Sequence, residues 1–366
     1  MPNEKMVEEN GSSSAPRPAA PHRRWGRKVL LAGLVVAVGA VLWINSAPAT
    51  SHDEFFSVPS GASASRVTAL LAESGQIRSR RWFLWLVGFR KAAGRLRAGV
   101  YEIERGQSAW GILENFLRGN TRRIRVTVPE GFASWQIAER LEANDICGAE
   151  DFKAMASSAA AEGTLFPETY HLEQGMPPAE VLRLMREQFQ KNWDEALSAA
   201  VSSGSVRQVV KSTSSSEERI QLADGRWWTR RQAVTMASLI EREARLPAER
   251  PLVSAVYHNR LKKRIPLEAD PTVQFALGYW KERVLFRDLE VDSPYNTYRH
   301  YGLPPGPICS PGRAALAAAL SPASVDYLYF VADQQGGHRF SVKFDEHKKE
   351  VRNRNRERRL KKTGKR

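Results

Sequence analysis

Sixteen consecutive uncharged residues, Val29 to Ile44, follow Arg23, Arg24, Arg27 and Lys28 and constrain everything downstream of them. The run is a little short of the ~20 residues that cross a bilayer as a helix, and Trp25, Gly26 and Asn45 to Ala47 can lengthen it. Trp25 and Trp43 bracket it as interfacial aromatics do. The pattern predicts one transmembrane helix over 27–48. Basic residues precede the span and Asp53 and Glu54 follow it, which places the amino terminus in the cytoplasm. Ala47-Pro48-Ala49 has the small-x-small form of a signal cleavage site. The long leader and the proline inside that site favour an uncleaved anchor. Both readings put the chain from about Ser51 outside the cytoplasm, at the plasma (inner) membrane. Residues 1–26 are rich in Pro, Ser, Ala and charge without an apolar period, and read as a disordered cytoplasmic segment.

The exported part is ordinarily globular. With 42% hydrophobic and 26% charged residues in a chain of 366, there is apolar material for roughly two domains. Cys147 and Cys309 cannot form a disulfide framework or a thiolate zinc site, and the seven histidines never approach ligand spacing. No metal and no cofactor are expected. The net charge of +15 is concentrated at 347–366, where eleven Lys/Arg stand against two Glu. This basic tail reads as a solvated, frayed end rather than a nucleic-acid arm. Contact with anionic lipid or an acidic polymer is the alternative.

Three segments end an extended stretch at a glycine and place apolar residues six and ten positions later. They are Val58 to Gly61 with Val67 and Leu71, Tyr101 to Gly106 with Ile112 and Phe116, and Val126 to Gly131 with Ile137 and Leu141. Each predicts strand, turn and short helix, with Ser63 or Ser65, Ser108 and Ser134 as N-caps. Units of this size suit a LysM-like carbohydrate-binding subdomain over 52–125; a generic α+β prop for its neighbour suits them equally. Trp82 to Phe89 reads as core helix, with Trp82, Trp85 and Phe89 packing at helical spacing. Further helices are expected over 178–193, from a Thr229 cap to about Leu246, and over 251–262, with Ser202 to Glu217 a surface loop. Pro311 is expected at the first position of an alanine-rich helix, and Tyr327 to Ala332 and His338 to Ser341 form a hairpin around Asp333 to Gly337. The fold class is therefore α+β: the small subdomain, then an α+β catalytic domain over 126–346, preceded by the membrane helix.

No phosphate-cradling loop or Gly-x-Ser-x-Gly elbow is present. The chemistry-bearing element is the helix Ala237-Ser238-Leu239-Ile240-Glu241-Arg242-Glu243-Ala244, on which Glu241 and Glu243 lie at opposite edges of the apolar arc. A carboxyl at such an edge tends to hold its proton to higher pH, as a general acid requires. Periodicity does not choose between the two, and pairing with Arg231, Arg242 or Arg245 on a solvated face is the bland reading.

Taken together, that helix, His258-Asn259-Arg260-Leu261, Leu267 to Val273, Ser293-Pro294-Tyr295-Asn296-Thr297-Tyr298, Gly302 to Ile308 and, upstream, Glu162 to Tyr170 resemble the signature run of the endolytic murein transglycosylase (YceG-like) family. The likeness covers nearly the whole exported region in the family's order. It implies that Glu241 is the catalytic residue and Glu243 a supporting one. It further implies cleavage of the β-1,4 bond between N-acetylmuramic acid and N-acetylglucosamine in nascent glycan strands, leaving a 1,6-anhydro end and limiting strand length. One acid/base residue suffices where the substrate's own 6-hydroxyl is the nucleophile, whereas a hydrolase usually needs two carboxylates. Asn296 and Tyr298 are candidates for binding acetamido groups and hydroxyls, Tyr295 for stacking on a sugar, and Glu168 for a second carboxylate in the cleft. Asp270 reads better as a cap of the helix starting near Pro271. Expected partners are peptidoglycan strands, the plasma membrane and cell-wall synthases, with no nucleic acid. A membrane-anchored peptidoglycan-binding protein without catalysis is the rival reading.

Overall fold

A computed structural model describes residues 22–59, 61–158, 160–211 and 218–362. Of the segment expected to be disordered, residues 1–21 lie outside the described residues, as does the end of the basic tail, while 22–26 belong to a helix. The chain divides into two units, 1–121 and 122–366.

The first unit opens with α1 (His22–Asn45), whose stretch Lys28–Asn45 is long and apolar enough to cross a membrane by length and composition. It continues through β1 (Glu54–Val58), α2 (Ala64–Glu73), α3 (Arg80–Phe89), β2 (Gly99–Ile103) and α4 (Ala109–Arg118). β1 and β2 pair antiparallel, Phe56 opposite Tyr101. Ser63 and Ser108 accept the expected capping hydrogen bonds from Arg66 and Gly111 N–H. Val67, Leu71, Ile103, Ile112 and Phe116 fill the core between the strand pair and the helices. One expectation is reversed. On α3 the buried side chains are Phe83, Leu86 and Val87, while Trp85 and Phe89 point outward at 54% and 65% exposure.

The second unit begins with β3 (Arg123–Thr127), α5 (Ser134–Glu142), α6 (Ala149–Ser158) and β4 (Thr169–Glu173), and β3 and β4 pair antiparallel. Ser134 is not a cap: it is the first helical residue, and Gln136 Oε1 reaches back to the Ala133 N–H instead. α7 (Pro178–Ser202) runs nine residues past its expected end, because Ala196, Leu197 and Ala200 continue its buried stripe. The expected loop after it contains a strand. β5 (Val206–Lys211), β6 (Glu218–Leu222) and β7 (Trp227–Thr229) form an antiparallel sheet in sequence order, with Val206, Ile220 and Leu222 buried.

Next come α8 (Arg230–Glu243), α9 (Arg250–Lys262), α10 (Asp270–Leu277) and α11 (Arg313–Leu320). α11 starts after a Gly312 N-cap, so Pro311 precedes the helix rather than opening it. The hairpin β8 (Tyr329–Ala332) and β9 (His338–Ser341) forms with the expected turn. The basic tail is helical as α12 (Phe344–Lys362), not frayed throughout: Arg339 on β9 pairs with Glu350 and Glu357, its two acidic residues after 347. α8 lies at the centre, packed against α9, α10 and α11.

Candidate active site

α8 is fixed at its start by a reciprocal cap, Gln232 N–H to Thr229 Oγ1 at 3.2 Å and Thr229 N–H to Gln232 Oε1 at 2.8 Å. Residues 233–240 are buried. A helix hidden on every side can offer reactive groups only where it emerges, and its last turn carries Glu241, Arg242 and Glu243. One turn earlier, Ser238 Oγ accepts the Ile308 N–H at 3.1 Å, and Cys309 Sγ reaches the Ser238 carbonyl at 3.4 Å. These contacts hold the segment 308–312 along α8 and bring its backbone to Glu241.

Glu241 Oε2 accepts the Gly312 N–H at 2.9 Å, and Oε1 accepts from Arg250 Nη2 at 3.1 Å. The side chain is 5% exposed. The same guanidinium nitrogen lies 3.5 Å from Glu130 Oε2, so one cation on α9 serves two carboxylates. Glu130 sits on the turn after β3. Gly131 has φ +77°, a conformation glycine adopts without strain, and its N–H bonds to Ser310 O at 2.9 Å. Ser310 N–H returns a bond to Phe132 O at 2.8 Å, clamping that turn against the Gly312 segment. Burial raises the pKa of Glu130, the Glu241 charge adds to that, and Arg250 pulls it back.

Glu243 faces another environment. Its Oε1 accepts the Tyr257 hydroxyl at 3.3 Å. Burial, followed by the charge of Asp270, pushes its carboxyl up to about 7, against the Tyr257 hydrogen bond, Arg242 and Arg260. Tyr298 donates to Asp270 Oδ1 at 2.6 Å, and burial and that bond hold its phenol well above the usual range. Asp270 is the first residue of α10 and makes no capping hydrogen bond; its carboxylate serves Tyr298.

Asn296 is wholly buried. Its amide donates to Leu289 O and Val291 O, both at 2.9 Å, and its Oδ1 accepts the Tyr298 N–H, so it holds its own loop together. The Tyr295 ring packs 4.8 Å from Phe275. Glu168 is exposed and folds back onto the Thr169 N–H at 3.0 Å. Tyr257, Asp270 and Tyr298 thus gather on the Glu243 side of the end of α8, and Arg250, Glu130 and Gly312 on the Glu241 side, while Asn296 and Glu168 bond only within their own segments.

Four further groups belong to this neighbourhood. Arg250 and Glu130 carried only structural signals in the sequence, a helix start and a turn. Trp280 lies under the Arg242 guanidinium, 3.8 Å from its ring centre, and continues through Trp135 and Phe275 to Tyr295 as a row of half-buried rings. Glu162 Oε2 accepts the Ser134 N–H at 3.1 Å, while its buried Oε1 meets no partner among the described residues. It lines a cavity of about 290 Å³ with Arg230, Arg231 and Pro307.

Comparison with known proteins identifies one family. The YceG-like family model matches residues 56–353. An endolytic murein transglycosylase of Bacillus subtilis is 33% identical over 310 residues, covering 80% of this chain and 82% of that protein. One from Streptococcus pneumoniae is 25% identical over 322 residues, covering 76% of this chain and 54% of its own length, so this chain spans about half of it. The crystal structure of a yceG-like protein from Listeria monocytogenes aligns with 29% identity over 81% of this chain and 99% of that one, at a TM-score of 0.48. The chain belongs to the YceG-like family.

Proposed function

We propose that this chain is an endolytic murein transglycosylase, with Glu241 as its catalytic acid/base. The observation that carries the reading is the seat of Glu241, held on one oxygen by the Gly312 N–H and on the other by Arg250, at the open end of the family's motif helix. Two fixed donors orient the carboxyl, and an oriented proton acceptor is what the second half of the reaction needs. Glu241 first protonates the glycosidic oxygen between N-acetylmuramic acid and N-acetylglucosamine. It then takes the proton of the muramic 6-hydroxyl as that oxygen closes on the anomeric carbon, so no water is consumed and a 1,6-anhydro end remains. Glu243 supports from the far side of the helix turn. Tyr295, with Phe275, Trp135 and Trp280, offers aromatic faces to the glycan, Asn296 and Tyr298 shape the loop that carries Tyr295, and Glu168 contributes a carboxylate at the margin of the cleft.

α1 anchors the protein in the plasma membrane with its amino terminus in the cytoplasm and the chain from about Ser51 outside. Arg78 donates to the Ala47 carbonyl at 2.8 Å and to the Ser46 carbonyl at 3.2 Å, which ties up the segment where a signal peptidase would cut and supports the uncleaved reading. The order β1, α2, α3, β2 with antiparallel strands supports a LysM-like subdomain over 52–125, followed by the catalytic domain over 126–346. Nascent peptidoglycan is the substrate, and cell-wall synthases are the partners that deliver it.

The test is mass spectrometry of products from intact sacculi and nascent strands. Wild-type protein should release muropeptides with 1,6-anhydro ends, and Glu241→Gln should lower the rate by about 10²–10⁴-fold, the usual contribution of a positioned acid/base, while retaining glycan binding. Reducing ends in place of anhydro ends would assign a hydrolase. No release by wild-type protein would leave only a binding protein.

A further inference from the structure

α3 is apolar on the side it buries and on the side it does not. Phe83, Leu86 and Val87 face the core of the first unit, and Leu84, Trp85 and Phe89 stand outside at 40%, 54% and 65% exposure. Trp82, Trp85 and Phe89 stack in a continuous stripe, with ring centres 4.9 and 5.2 Å apart. A helix apolar all round is stable where both of its faces leave water, and a patch of this kind on a small unit marks a surface with a partner.

The position of the stripe identifies that partner. Trp82 Nε1 donates to Asn45 Oδ1 at 3.3 Å, and the same oxygen accepts the Trp110 N–H at 3.1 Å. Asn45 is the last residue of α1. The Arg78 guanidinium covers Trp43 at 4.8 Å. The exposed aromatics therefore begin where the membrane-spanning stretch ends, at the depth where tryptophan is enriched. Exposed Arg81 and Lys91 flank the helix, while Arg80 and Arg90 pair with Glu73 and Glu114. Basic ends on an aromatic, aliphatic helix are the composition of an element lying in a headgroup layer.

We propose that α3 is an interfacial membrane helix: Trp85, Phe89 and Leu84 dip into the outer face of the bilayer that α1 spans, and hold the first unit flat against it. The inference rests on the anchor reading of α1. It gives the first unit a role in fixing orientation near the membrane, where nascent strands emerge.

The experiment uses the full chain in vesicles of three parts phosphatidylcholine to one part phosphatidylglycerol. Spin labels are placed singly at Trp85→Cys, at Phe89→Cys and at the exposed Arg105→Cys, in a background with Cys147 and Cys309 replaced by alanine. Relaxation by lipid-soluble oxygen should exceed relaxation by a water-soluble nickel chelate at 85 and 89, and the order should invert at 105. Equal water access at all three sites overturns the proposal, as does protection of 85 and 89 only on adding soluble glycan, which would make the stripe a sugar platform. Flotation with the vesicles reports α1 separately: protein that floats with water-exposed labels sinks the α3 inference alone, and protein that fails to float sinks the anchor reading. If the Trp85 variant does not fold, Leu84→Cys supplies a third outward site on the same helix.

Discussion

Glu241 and Glu243 are two residues apart on one helix end, and their surroundings differ in every partner. Glu241 has a guanidinium and a backbone N–H on its oxygens, two donors that fix the orientation of its carboxyl. Glu243 has a phenol and a nearby aspartate and sits deep enough to keep its proton to about pH 7. The chain separation is trivial, but a helix turns about 100° per residue, so two steps carry the side chain to another wall of the cleft. The partners of each carboxyl are a property of the wall it faces: α9 and the Gly312 segment make one, α9 and α10 the other. The comparison predicts that removing Arg250 and neutralising Glu243 will have stability effects of opposite sign.

Arg250→Met gives the largest effect. It leaves Glu241 buried against Gly312 without its cation, and breaking one side of a buried pair costs about 3–5 kcal/mol. The side chains of Arg250 and Glu241 are 10% and 5% exposed, so solvent screening reduces this little. Glu130 loses the cation that lowers its pKa, and the pH–rate profile should move to higher pH. Urea denaturation of the single variants and of Arg250→Met with Glu241→Gln measures the coupling. A double variant no more stable than the sum of the singles predicts would show that the two groups are independent.

Elements were more legible in the sequence than the site. The Ser63 and Ser108 caps, the turn glycines 61, 106 and 131, the Thr229 start of α8 and the β8–β9 turn each follow from chemistry within a few residues. The opposite edges of Glu241 and Glu243 came from helical period alone. What period does not specify is which partner stands opposite, and Glu130 comes from a turn more than a hundred residues away. The outward stripe of α3 is hidden in the sequence for a related reason, since a helix apolar all round gives no sign of which arc faces protein. β5 is not legible in the sequence because it lies in a serine-rich stretch and buries only Val206 of its six residues, so no alternation marks it.

Glu243→Gln reverses the sign. The folded-state value near 7 lies above the ordinary 4.5, so between those limits the native state holds a proton that the unfolded chain has released, and stability falls as pH rises through this window. Glutamine keeps an acceptor for Tyr257 and carries no charge to desolvate. The variant should match wild type near pH 4 and exceed it at pH 8 by up to about 3 kcal/mol. His258 acts in the opposite direction: burial, then Arg226, lowers it from 6.5 to about 4, so it withdraws stability as pH falls through that range. The variant-minus-wild-type difference cancels this term. A difference independent of pH would show that Glu243 is not the group that titrates.

Gly312→Ala probes the Glu241 wall most finely. The backbone there is ordinary, with φ −77°, and the N–H that Glu241 accepts survives the substitution. The new methyl would lie 1.8 Å from Glu130 Oε1, an impossible contact. Glu130 is half exposed and can swing into water, so folding stability should change by less than about 1 kcal/mol. Arg250 then serves Glu241 alone, and the Glu130 carboxyl leaves its neighbourhood. Turnover should fall about ten-fold with the melting temperature nearly unchanged, and Glu130→Gln should reproduce the loss without the clash. If Gly312→Ala slows the reaction and Glu130→Gln does not, the glycine is needed for room at the substrate's position rather than for Glu130, and the two-carboxylate arrangement around Arg250 has no part in the chemistry.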